Sequence, residues 1–587
     1  MNRPSFFKEE DYTRNPDWKD VQNLLQFVRP YWQGFTLAIG LIFLSSLWVI
    51  LSARFMGRFV EEGLSAHDPS ACWKLGGSIL IFEFLAILCT WGGRRLLSRE
   101  SSKGIYLIRK TLFRHIHQLP LSYYDRQPEG RTVTRMTHDV EGVEEFFTAS
   151  LGRLLNFVLT FTVALGAMLM TNFKFGFWVA LSALPALWMT LGSKGNIRRL
   201  NRMISAGNSA CNARLSEYLK GVGVIRAFGL EEWSLHQYRE TIKNHLNSQL
   251  QANAYYAWTR PVANYLCAAP ITLLLWFGGQ KVLGGTLSIG VFVAFVRYCE
   301  RLTNPIVALS REIQVIQQAL TSMERISNFL NAEREETVLG PEGSLRPQKL
   351  KGHIKFDGVE MGYHDNHQVL KNVSFEIDPG EKIGIVGTTG SGKSTTIALL
   401  ARLYEFQRGH ILIDHQDIRT YARGRLREQM GMVAQDVVVF KGTLYENLLC
   451  DDKTPRHLVE RACEETGLAE VMKRNQMTFD TEIYEGGPNM SSGEKQLLAL
   501  TRILVRDPSI LILDEATGHV DPYYERLIHR AVDRIMEGRT CLIIAHRLET
   551  LKSCGRILVF RQGEICEMGT HQELLASRGY YYHLQNQ

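Results

Sequence analysis

The sequence predicts a six-span α-helical membrane domain fused to an α/β domain built around a phosphate-binding loop. Three observations carry the prediction. Six apolar runs, each near the roughly 20 residues a bilayer crossing needs, fill the first half. A glycine-rich stretch, Gly387-Thr388-Thr389-Gly390-Ser391-Gly392-Lys393-Ser394, separates a short apolar strand, Ile383 to Val386, from a helical pattern, Thr395 to Leu403. From Gly352 onward, strand and turn patterns give way to alternating strands and helices. Expected boundaries are 1–330 for the membrane domain, 331–350 for a linker and 351–587 for the α/β domain.

At 587 residues the chain is too long for one core. Its net charge of +7 is modest and suits a membrane surface; no nucleic-acid partner is expected. Ten cysteines are scattered singly with no C-x-x-C pair, which supports neither zinc ligation nor a disulfide framework. Reduced, mostly buried thiols are expected. Met1 to Trp32 is polar and aromatic-rich, and reads as a cytosolic lead-in without a cleavable leader.

The spans follow in order. Phe35 to Ser52 is the first, and Leu75 to Trp91, with Glu83 inside it and Arg94-Arg95 beyond, is the second. Leu151 to Met170 and Phe175 to Leu191 form a pair joined by a short turn. Val262 to Phe277 is the fifth, and the sixth runs from Leu287 past Pro305. The loops Arg94 to Ser150 and Lys194 to Arg260 are long and rich in Lys and Arg, whereas the alternate connections are short. That bias puts both termini and both long loops in the cytoplasm. Apolar residues at helical spacing in Ile105 to Leu119 and Arg214 to Phe228 extend the helices beyond the bilayer. Charges within spans are expensive and face a cavity or a partner. Glu83, Arg260, Arg297, Glu300 and Arg301 are therefore either cargo-selecting groups or structural ion pairs, the latter reading being favoured. Asn331 to Leu350 is polar and holds two prolines, as a linker does.

The loop at Gly387 matches G-x-x-x-x-G-K-[ST] at every fixed position. Its backbone N–H groups and the following helix N-terminus, Thr395 included, suit phosphate oxygens. Lys393 is expected on the β/γ-phosphates of ATP, and Ser394 on Mg²⁺. Ile510 to Leu513 is a buried strand pattern ending in Asp514 and Glu515. Asp514 is expected beside the metal, through water, and Glu515 on the attacking water as general base. Gln435 follows Met430 to Ala434 as a further metal or water ligand; His546 ends the strand Cys541 to Ala545, within reach of a γ-phosphate. Tyr363 is the candidate for stacking on adenine, and Asp521 for a link between opposed sites.

With these landmarks, Met490-Ser491-Ser492-Gly493-Glu494-Lys495-Gln496 resembles the ABC signature, which usually reads L-S-G-G-Q. The segment from Gly352 to Gln587 is thus similar to an ATP-binding cassette, and the first half resembles the permease of ABC exporters. Tyr123-Tyr124-Asp125 through Thr137-His138-Asp139-Val140, and Glu217 through Gly229, resemble that family's two intracellular loops. The resemblance implies short coupling helices and a half-transporter that needs a second copy or a sister subunit. It also implies that Ser491, Ser492 and Gly493 face the γ-phosphate of ATP held by the other cassette. The sequence departs from the pattern: Ser492 replaces glycine, Glu494 replaces glutamine, and Gly518-His519-Val520 replaces S-A-L. A heterodimer, in which this altered signature closes the weaker site, is the favoured reading over a homodimer. The implied function is ATP-driven export of a hydrophobic or amphipathic small molecule (drug, lipid or peptide-like) across a bacterial inner membrane. A homodimeric lipid-flippase type of exporter and an ATP-gated channel are the alternatives.

Overall fold

A computed structural model describes residues 26–587 except 128, 336–344, 346–348, 364–366, 435–436, 450–453, 515–520, 545–550 and 586–587. It divides into two compact units, Met1–His117 with Pro128–Ala332, and Gln118–Gln127 with Glu333–Gln587.

The first unit is helical throughout. Trp32–Arg58 forms the first long helix. Pro69–Ile116, 48 residues long, starts with proline where a missing N–H is harmless, and Asp68 caps it by accepting from the Ser70 amide at 2.9 Å. Leu151–Thr171 stops at Asn172, whose side chain caps the next helix through the Phe175 amide. The predicted fourth span is broken into Phe173–Ser182 and Leu184–Gly192, because Pro185 removes a backbone donor near the start of the second piece. Lys194–Lys220, Glu231–Leu273 and Ile289–Leu330 are the remaining long helices among the described residues, with Ser288 capping the last through the Val291 amide.

Among the described residues, five helical stretches are long and apolar enough to cross a bilayer. The sixth, Ile289–Leu330, is long enough, but Arg297, Glu300 and Arg301 interrupt its apolar part. Only 6% of the most apolar window of Pro69–Ile116 is buried, and Trp73, Leu80, Trp188 and Met170 point outward. Such a surface needs lipid or another subunit against it. Between the helices lies a core of Met168, Phe175, Phe295, Tyr298 and Leu302. Buried Glu312 accepts from the Ser150 hydroxyl and from Arg153 at 2.6 Å; Asp139 pairs with Arg325 at 3.2 Å.

The second unit is built on a six-stranded sheet ordered Glu564–Gly569, Arg556–Arg561, Lys382–Gly387, Thr540–Ile544, Ile510–Asp514, Met430–Val433. All neighbours are parallel except the first pair. Both faces are covered, and the strand period of two shows it. Leu511, Leu513, Cys541, Ile543, Ile557 and Val559 enter one core. Their neighbours Ile510, Ile512, Leu542, Ile544, Leu558 and Phe560 enter the other. A second sheet, antiparallel, orders Leu370–Ile377, Ile354–Met361, Arg408–Ile413 and Gln416–Asp417. The short helix Leu121–Arg126 groups with this unit, and the Asp125 carboxylate accepts from the Tyr404 hydroxyl. After the helix ending at Leu330, Glu335 receives Arg423 at 2.7 Å and Arg427 at 2.8 Å.

Candidate functional site

The C-terminal ends of parallel strands meet at one edge of the sheet, where ligands bind in open α/β folds. Gly387 ends one strand there, and Asp514 ends another, with Thr540–Ile544 between them. Gln435, Glu515 and His546 lie outside the described residues; the strands Met430–Val433, Ile510–Asp514 and Thr540–Ile544 precede them in the chain.

The loop itself is a backbone cradle. A Cβ on Gly387 would lie 2.3 Å from the Phe560 carbonyl oxygen, and one on Gly392 would lie 2.5 Å from a Leu370 methyl. Both have positive φ, +153° and +107°, so only glycine fits. Thr388, Thr389, Gly390 and Ser394 are exposed; Ser391, Lys393 and Thr395 are buried. Lys393 Nζ donates to the carbonyls of Gly387 at 2.6 Å and Thr388 at 2.9 Å, folding its charge into the loop. Ser391 Oγ is buried with no hydrogen-bond partner among the described residues. A buried hydroxyl without a partner, in a cradle of glycines beside a lysine, fits a polyphosphate. The exposed Ser394 hydroxyl and the carboxylate of Asp514 are hard oxygen donors of the kind Mg²⁺ takes.

Tyr363 stands beside this loop, its hydroxyl 3.1 Å from Thr395 Oγ1 and its ring edge-on to Tyr404 at 5.0 Å between centroids. Tyr404 in turn donates to Asp125. A continuous path therefore runs from the helix after the phosphate loop to the segment 121–126.

The signature begins the helix Ser492–Arg506 with Ser491 as N-cap. Glu494 completes a capping box: the Ser491 hydroxyl accepts from the Glu494 amide at 3.3 Å, and the Ser491 amide donates to Glu494 Oε2 at 2.6 Å. The Ser491 hydroxyl also donates to Oε2 at 2.9 Å, so its own proton is directed to the carboxylate. Asn475 and the Tyr524 hydroxyl, the latter at 3.3 Å, donate to Oε1. The carboxylate is thus buried and bonded on both oxygens. Ser492, by contrast, is exposed, while a Cβ on Gly493 would run into Tyr524 at 2.6 Å. Asn475 and Tyr524 were not visible as site residues by sequence, because their contribution is a tertiary contact with no motif around it. Asp521 caps Pro522–Met536 through the Tyr523 amide at 2.9 Å.

In the membrane unit Glu83 accepts from the Ser52 hydroxyl at 2.8 Å, and Arg297 pairs with Glu300 at 3.2 Å. The favoured pairing of Glu83 with an arginine is not among the ion pairs of the described residues. Arg260 instead stacks on Tyr256.

Residues 35–306 match the family model for the ABC transporter transmembrane region, and residues 370–518 match that for the ABC transporter. A protein of Bacillus subtilis named a probable multidrug resistance ABC transporter ATP-binding/permease protein is 32% identical over 87% of this chain and 75% of its own length. An ATP-dependent lipid A-core flippase of Chromohalobacter salexigens is 31% identical over 96% of this chain and 97% of its own. This chain belongs to the ABC transporter family. The structure of a bacterial Atm1-family ABC exporter with ATP bound shares the fold, with a TM-score of 0.80, 24% identity and coverage of 94% of this chain and 97% of that one. The chain is an ABC exporter half-transporter, a multi-pass integral membrane protein whose ATPase activity is coupled to transport. Half-transporters of this kind pair up.

Proposed function

We propose that this half-transporter moves a hydrophobic or amphipathic small molecule out of the cytoplasm, paired with an unlike sister subunit in a bacterial inner membrane. Its cassette and both termini face the cytoplasm, in keeping with the basic long loops. Gly387 to Thr395 hold the triphosphate, with Lys393 leaving its two carbonyl partners for phosphate oxygens, and Tyr363 leaves Thr395 to stack on adenine. Mg²⁺, when bound, neutralises developing charge on the phosphates; Ser394, Gln435 and, through water, Asp514 would hold it. Glu515 takes the proton of the attacking water, and His546 supports the γ-phosphate. Ser491, Ser492 and Gly493 close on the ATP of the sister.

The observation that carries the unlike pairing is the buried Glu494 carboxylate, bonded to the Ser491 amide at 2.6 Å. A full negative charge therefore sits 2.9 Å from the Ser491 hydroxyl, where the usual glutamine would cap the same helix without charge. A second reading, a lipid exporter made of two identical chains, is favoured by the flippase name carried by a relative 31% identical. Two experiments test the proposal. Co-purification in mild detergent with mass spectrometry should give two different half-transporters in equal amounts; a single species would overturn the unlike pairing. Glu515→Gln should keep ATP binding and abolish most turnover; undiminished hydrolysis would remove Glu515 as the base.

A further inference from the structure

A cavity of about 760 Å³ opens within the membrane unit between Trp32–Arg58, Pro69–Ile116, Leu151–Thr171 and Ile289–Leu330. Its charged walls are Arg94, Arg95, Arg301 and a single acid, Glu83. The acid is engaged by Ser52, and the nearest acid on the sixth helix, Glu300, pairs with Arg297. Arg95 lies over the Trp91 ring at 5.1 Å. Arg301 lies within the sixth span and Arg94 just beyond the second, and neither has a carboxylate partner among the described residues. An arginine inside a span faces a counter-charge or water. The lining also includes apolar groups, Val49, Ile87, Trp91 and Phe157. The hydroxyls of Ser45 and Thr90 meet across the wall, so they lock two helices together rather than compete for a ligand. The result is a chamber whose lining combines three guanidinium groups with aromatic and aliphatic side chains.

We propose that this cavity binds an amphiphile with an anionic head, phosphate- or carboxylate-bearing. Arg94, Arg95 and Arg301 hold the head, and Trp91 and Phe157 hold the hydrocarbon part. The three arginines against one engaged glutamate select the sign of the charge. Guanidinium forks suit both oxyanions, since each offers paired acceptors to two parallel N–H donors. This inference rests on the reading that the cargo is amphipathic, and adds the sign of its head.

The test uses the full transporter in nanodiscs of zwitterionic lipid, with equilibrium binding and ATPase stimulation as readouts. The probes are dodecyl phosphate, dodecyl maltoside, dodecyltrimethylammonium and inorganic phosphate. Dodecyl phosphate should bind about tenfold or more tightly than the neutral and cationic chains of equal length. Inorganic phosphate should not compete with it at equal concentration, which separates an amphiphile site from a plain anion site. The double variant Arg94→Gln with Arg301→Gln should lose that preference by about tenfold, and Arg94→Lys with Arg301→Lys should recover most of it, so that a folding defect is distinguished from lost charge. Equal binding of all three chains, or full competition by inorganic phosphate, would overturn the proposal while leaving amphipathic cargo intact. Failure of every amphiphile to bind or to alter ATPase activity would remove the amphipathic reading as well.

Discussion

Replacing Glu494 by glutamine removes one negative charge and keeps the shape of the capping box, since both side chains serve at that position. The size of the effect follows from the geometry. Glu494 Oε2 lies 2.9 Å from Ser491 Oγ. A phosphate oxygen bound to that hydroxyl would lie about 2.8 Å further on, so the two charges come within about 5–6 Å. At an effective dielectric of about 20, two unit charges at that distance repel by about 3 kcal/mol. Salt at the closing interface reduces this to about 1–2 kcal/mol, or roughly tenfold in affinity. Glu494→Gln should therefore tighten ATP at the site that this signature closes by about tenfold. Purified transporter, titrated with a fluorescent ATP analogue at low and high salt, reads both the gain and its screening. Glu494→Ala is the control: it removes the charge but also the cap, at a cost of about 1 kcal/mol in helix stability. Unchanged or weaker nucleotide binding in Glu494→Gln, with the protein folded, would refute the electrostatic argument.

Three further outcomes are expected. Tyr404→Phe removes the hydroxyl that reaches Asp125 and keeps the ring against Tyr363; transport per ATP hydrolysed in proteoliposomes should fall, with ATP affinity within about twofold of the parent. A matching loss in ATP affinity would place the residue in nucleotide binding instead. Burial pushes the thiols of Cys463 and Cys541 up to about 12, so iodoacetamide at pH 8 should spare both in the native protein and label them after urea, read by mass spectrometry. Hydrogen bonding from Arg539 holds the Asp507 carboxyl below its ordinary range. At Glu335 burial works upward, but Arg427 and Arg423 outweigh it and hold the carboxyl low. Folded-state values below the unfolded ones mean stability that is complete above about pH 4–5 and is lost as pH falls through the folded values. The thermal midpoint of the cassette transition should fall on acidification below that range, and Arg539→Gln should flatten the fall.

The phosphate loop was legible because it is local: strand, glycines, lysine and helix lie within one short stretch, and each position has a backbone reason. The same holds for the buried strand ending at Asp514. The break in the fourth span at Ala183 was legible in principle from Pro185, but hydropathy alone runs through it. What the chain order hides is tertiary. Asn475 and Tyr524 lie 19 and 30 residues from Glu494 in sequence. Arg301 comes far later in the chain than Glu83 and Arg94, which it meets only when four helices pack. Charge within a span announces a special residue without naming its partner: among the described residues Glu83 accepts from the Ser52 hydroxyl and pairs with no arginine.

On the proposed reading, the two loops of this chain that would meet nucleotide are biased in opposite directions. In the phosphate loop, Lys393 is held by neutral carbonyl dipoles at Gly387 and Thr388, which a phosphate oxygen would replace with a full opposite charge. In the signature, the Ser491 amide and hydroxyl are already taken by a carboxylate, and an arriving phosphate meets like charge. One exchange gains electrostatic energy and the other loses it. Two identical copies would combine the strong loop with the weak signature at both sites, so each site would carry the penalty. An unlike sister with a neutral glutamine in its signature would free this chain's Lys393, Asp514 and Glu515 from that penalty and confine it to the other site. The asymmetry within one cassette is thus a reason for asymmetry between two, and it disappears when Glu494→Gln makes the signature neutral.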